Sequence, residues 1–152
     1  MSQNKLTDVR SCYNSFRLNN YKISTAQFVQ LPLHALPTTA RAFMYALLSW
    51  NRGKLGHAFS FLKLAKDNSA NPGELACLLH VEATFLFLNG DHQTAILRER
   101  RCADLAQTEG DKRLQADALS HLSSIYEVIG ERRLAKEYER QASRLLFEKE
   151  FF

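Results

Sequence analysis

Only nine of the chain's 152 residues are glycine or proline, and they fall in a few clusters with long unbroken runs between them. These two residues are the strongest local breakers of regular structure, so their scarcity limits how often the chain can turn. The runs are rich in Ala, Leu, Arg, Glu, Lys and Gln, which lose little rotamer freedom in a helix, and poor in β-branched residues. A chain built this way folds into helices. The pattern predicts them near 7–18, 22–31, 38–52, 55–68, 73–89, 92–107, 112–129 and 131–149.

The ends of the runs carry matching chemistry. Asn71-Pro72-Gly73-Glu74 puts a capping side chain before a proline at the first helical position, with a glutamate two residues further on to answer free N–H groups. Asn89-Gly90-Asp91 supplies a left-handed terminator and a new cap within three residues; Ile129-Gly130-Glu131 and Arg52-Gly53-Lys54 follow it less completely. Helices joined so tightly turn back on each other as antiparallel hairpins. Leu114, Ala118, Leu122, Ile125 and Ile129 form an apolar stripe facing Leu134, Ala135, Tyr138, Ala142 and Leu145. The series Leu75, Leu78, Leu79, Glu82, Leu86 has one polar interruption and an adjacent stripe of Ala76, Ala83 and Phe87, so that helix has more than one buried face.

Length and composition set the frame for these hairpins. A chain of 152 residues with 45% hydrophobic residues can bury a core in a single domain, 1–152, without a disulfide or metal staple. No run has the apolar length of a membrane span, and the opening residues are too polar for a secretory signal, so a cytoplasmic protein is expected. Cys12, Cys77 and Cys102 are an odd count without paired spacing, which predicts buried reduced thiols. The net charge of +4 hides an asymmetry: residues 1–72 carry nine Lys or Arg against Asp8 and Asp67, whereas residues 73–152 carry eleven against fourteen acids. Such a division suits a polar partner at one end, or head-to-tail self-attraction.

Aligning the hairpins on their glycines exposes a repeat. Gly53, Gly90 and Gly130 are each followed five residues later by Ala58, Ala95 or Ala135, and seven residues beyond that by Ala65, Cys102 or Ala142. Seven residues before each glycine stands Ala46, Ala83 or Ser123. Small side chains at these points let paired helices approach closely. In this pattern the chain resembles the tetratricopeptide repeat (TPR) family over about residues 38–148, and Tyr126 and Gly130 match that family's tyrosine and glycine in the last copy. It departs from the family in two respects. The large aromatic expected four residues after the first alanine is Leu62, Glu99 or Glu139, with Phe61 and Tyr138 one position earlier. The glycine spacings of 37 and 40 residues exceed the usual period and are similar to the longer repeats of bacterial signal-regulated transcription factors.

The resemblance implies an all-α, right-handed α-solenoid of about seven or eight helices, with hairpins at 38–71, 72–109 and 111–149 and a degenerate first hairpin or an irregular arm at 1–36. It also implies a concave groove lined by the first helix of each hairpin. Carried over position by position, the groove comprises Phe43, Leu47, Trp50 and Asn51, then His80, Thr84 and Phe87, then Ser120, His121, Ser124 and Glu127. For the apolar members, packing in the core is an equal alternative. Met44, Cys77 and Val81 stand where some TPR proteins carry the Lys and Asn set that clamps a partner's C-terminal carboxylate, which disfavours chaperone-tail recognition.

Catalytic motifs are missing from the sequence: it has no nucleophile elbow, phosphate-binding glycine loop, H-E-x-x-H or C-x-x-C. Cys77, His80 and His121 could hold a metal, but a half-buried cysteine and a hydrogen-bonded histidine explain them more simply, so neither metal nor cofactor is expected. The basic residues Arg98, Arg100, Arg101, Arg132 and Arg133 are interleaved with Glu99, Asp104, Glu109, Glu131 and Glu137, a neutralised pattern that disfavours nucleic-acid binding. The C-terminal Phe147, Phe151 and Phe152 are candidates for self-association into a homodimer. The expected function is therefore non-catalytic capture of a protein or peptide by an adaptor, regulatory or chaperone-like subunit. The alternatives are a ligand- or peptide-sensing regulatory domain and a nucleic-acid-associated protein.

Overall fold

The computed structural model describes residues 5–151, with side chains through residue 147. Every regular element among the described residues is helical: α1 (Val9–Phe16), α2 (Thr25–Val29), α3 (Thr38–Asn51), α4 (Leu55–Asp67), α5 (Pro72–Leu88), α6 (His92–Thr108), α7 (Lys112–Val128) and α8 (Arg132–Phe151), with 3₁₀ turns at Arg17–Asn19 and Leu33–Ala35. From α3 onward the helices start and stop within two residues of the positions the breakers predict. The chain divides into two compact units, residues 1–74 and 75–152, and the division falls in the first turn of α5.

In the first unit, α3 and α4 form an antiparallel hairpin and α1 packs on α3. Phe43, Met44, Leu47 and Leu62 are fully buried there with Val9, Cys12 and Tyr13. The opening segment forms less helix than its apolar spacing suggests. Asp8 and Ser24 each cap a helix with a reciprocal capping box, yet α1 spans eight residues and α2 only five. Between them Asn20 and Tyr21 both take positive φ, 55° and 59°, which stops α1 after its 3₁₀ extension. The Asn51 side-chain amide donates to the Tyr21 carbonyl at 2.8 Å, fixing this bend against the end of α3.

The second unit is a succession of long helices. α6 packs on α7 and α7 on α8, while α5 and α6 are joined by side-chain pairs described below. Each turn ends a helix the same way. At Gly90, Gly110 and Gly130, with φ of 88°, 72° and 88°, the glycine N–H donates to the carbonyl three residues back and the next N–H reaches five back, as in Asp91 N to Leu86 O at 2.9 Å and Glu131 N to Tyr126 O at 2.8 Å. Asp91 and Asp111 then cap the next helix by accepting from the N–H groups of Thr94 and Leu114. The repeated small residues lie where the pattern requires: Ala83, Ala95, Cys102, Ala135 and Ala142 are all buried. Ser123 serves the same purpose with a hydroxyl, which donates to the Ala135 carbonyl at 2.7 Å and ties α7 to α8.

Candidate functional site

The second unit is organised around a carboxylate. Glu99, on α6, is fully buried, and its two oxygens meet two imidazoles: Oε1 lies 2.6 Å from Nδ1 of His80 on α5, and Oε2 lies 2.5 Å from Nδ1 of His121 on α7. With the carboxylate accepting, both Nδ1 atoms donate. A lone buried carboxylate is strongly unfavourable, and two donors on its two oxygens are what make this one tolerable. The two histidine rings stand edge to face with centroids 5.7 Å apart, and Phe87 closes on His121 in the same manner at 5.3 Å. Both histidine side chains keep a small exposed edge, 11% for His80 and 16% for His121.

The charge distribution around this triad is ordered as well. Glu82, the polar interruption in the α5 stripe, is buried and meets Arg98 Nε at 2.7 Å. Arg100 donates to the Tyr126 hydroxyl, and Tyr126 stacks on Tyr138 with centroids 5.5 Å apart and rings nearly parallel. Burial above all, and then the negative charge of Glu99, pushes the Cys102 thiol well above its ordinary range, so it remains a protonated apolar filler. All three cysteines are buried thiols outside any disulfide, as their spacing predicts.

The positions carried over from the repeat pattern separate into three groups. In the first unit Phe43 and Leu47 are wholly buried and serve the core, the Asn51 amide is engaged by the Tyr21 and Leu47 carbonyls, and Trp50 packs edge-on against Phe59 at 6.5 Å. In the second unit His80, His121 and Phe87 converge, and the Thr84 hydroxyl donates to the His80 carbonyl at 3.0 Å. The third group, Ser120, Ser124 and Glu127 on α7, lines a single open depression of about 510 Å³ with Ser123 and Glu139.

Glu99 is the residue that sequence reasoning misplaced, since the sequence presents it as one acid of a neutralised charged stretch. Its register held the signal: it occupies the position four residues after Ala95 where the repeat expects a large buried side chain, as Leu62 does in the α3–α4 hairpin. Phe147, near the end of α8, is 61% exposed. The side chain of Phe151 and the whole of Phe152 lie outside the described residues.

The geometry defines an all-α protein of consecutive helical hairpins with a buried His-Glu-His triad. Compared with known proteins, the chain matches no family model, no curated protein and no solved structure.

Proposed function

We propose that the chain is a TPR-like, non-catalytic module that captures a protein or peptide in the cytoplasm, acting as an adaptor or regulatory subunit. One observation carries this reading: Ser120, Ser124 and Glu127, three of the positions that the repeat pattern assigns to partner contact, share one open depression with Ser123 and Glu139. The hydroxyls of Ser123 and Ser124 donate to the backbone carbonyls of Ala135 and Ser120. With those two hydrogens committed, the depression offers mainly acceptors outward, two carboxylates among them. Acceptors of that kind suit the Lys or Arg side chain of an extended or helical partner segment.

Nothing in the depression resembles a reacting centre. Its residues include neither cysteine nor histidine, and the Ser123 and Ser124 hydroxyls donate to backbone carbonyls rather than to Glu127 or Glu139. Two surface changes test the reading. Glu127→Lys or Ser124→Arg, in the full chain used as bait in its native cell extract, should abolish retention of a partner that the wild type holds, while the circular dichroism spectrum stays the same. Retention unchanged by both substitutions would remove the proposed role of this surface.

A further inference from the structure

The His80–Glu99–His121 triad has a chemistry that capture of a peptide does not use. Its three donor atoms, two imidazole nitrogens and a carboxylate oxygen, come from three successive helices and lie within 4.8 Å of one another. We propose that this triad is a binding site for a divalent ion of the zinc class, held by His80 Nδ1, His121 Nδ1 and one oxygen of Glu99. Two imidazoles and one carboxylate form a recurrent three-ligand zinc set, and the nitrogen donors favour zinc and its late first-row neighbours over magnesium or calcium.

Only small movements are needed. Zinc bonds of about 2.0–2.2 Å place neighbouring ligand atoms of a tetrahedral ion a little over 3 Å apart. The ion therefore opens the present 2.5 and 2.6 Å contacts by less than about 1 Å and, from a separation within 4.8 Å, draws the imidazole nitrogens together by up to about 1.5 Å. It takes the place of the Nδ1 protons, so binding releases any proton held there. The exposed ring edges of His80 and His121 put the triad within reach of solvent. Because α5, α6 and α7 each contribute one ligand, the ion would clamp the two hairpin turns between them. The proposal rests on this triad alone and not on the α7 depression.

The test is titration of chelator-treated full-length protein with zinc, and with cobalt as a spectroscopic substitute, followed by calorimetry and thermal unfolding. The expected result is one saturable equivalent, ligand-field bands for cobalt, and a raised unfolding temperature. His121→Gln and Glu99→Gln should each weaken binding at least about tenfold, since loss of even an outer-shell partner commonly costs that much. His57→Gln, which alters an exposed histidine, should leave it unchanged. Absence of saturable binding by the wild type overturns the proposal, and so does equal binding by wild type and His121→Gln. Should the triad variants fail to fold, X-ray absorption of the wild-type zinc complex decides alone: two imidazoles on the ion are expected, and their absence refutes the site.

Discussion

Glu99 and Glu139 stand at equivalent positions of successive repeats, four residues after Ala95 and Ala135, yet one is fully buried and the other exposed. Removing Glu99 would leave two imidazole donors buried without their acceptor, and breaking a buried ionic pair from one side is strongly destabilising. Glu99→Ala should lower the stability measured by urea unfolding by about 3–5 kcal/mol, and Glu139→Ala by no more than about 0.5 kcal/mol. A second residue answers to pH. Burial, aided by the charge of Asp8, pushes the Cys12 thiol from its ordinary 9.0 up to about 12. The folded state therefore holds this proton more tightly than the unfolded state. Its contribution to stability is complete below about pH 9 and lost as pH rises toward about 12. Stability–pH curves of the wild type and Cys12→Ala should diverge only in that alkaline window, the wild type falling more steeply. Parallel curves would place Cys12 outside the core.

At the scale of elements, the turns decide the fold. Gly90 sits at φ 88° with nothing within 4 Å of where a Cβ would be, so the cost of a side chain there is conformational alone. Gly90→Ala should destabilise by about 1–2 kcal/mol. Gly56→Ala, inside α4 and also in open space but free of positive φ, should be neutral or stabilising by up to about 1 kcal/mol. Chemical denaturation of the two variants separates these effects. Such turns are legible in a sequence because a left-handed terminator followed by an aspartate leaves few other structures open. The α5–α8 boundaries were therefore readable almost to the residue, while α1 and α2 were not, since nothing in Asn19-Asn20-Tyr21 announces two consecutive positive φ values. The candidate site was legible in part for a related reason. His80 and His121 fall at inward positions of the repeat, but periodicity does not say whether Phe43 and Leu47 face a groove or a core, and their complete burial gives them to the core.

At the scale of the whole chain, the excess of cations is the feature that a nucleic-acid partner would use. The net charge is +4, and the first 72 residues hold nine Lys or Arg against two acids. Several cations are already engaged: Lys63 meets Asp67 at 2.7 Å, Arg98 meets Glu82, and Arg140 meets Glu137 at 3.0 Å. The pairing is felt by the partners, for the Asp67 carboxylate raises the Lys63 ammonium, and the Gln141 amide together with Arg140 holds the Glu137 carboxyl below its usual range. Phosphate binding draws its strength from counterions released by free cations, and affinity falls with a salt slope close to the number of phosphates neutralised. A chain whose cations are partly committed should release few. Retention on duplex DNA at low salt should therefore be weak and vanish by about 0.15 M salt, with a logarithmic slope no steeper than about −3. A slope near −6 or steeper, persisting in the Glu127→Lys variant, would show an aligned basic surface and give the chain a nucleic-acid partner in place of a protein one.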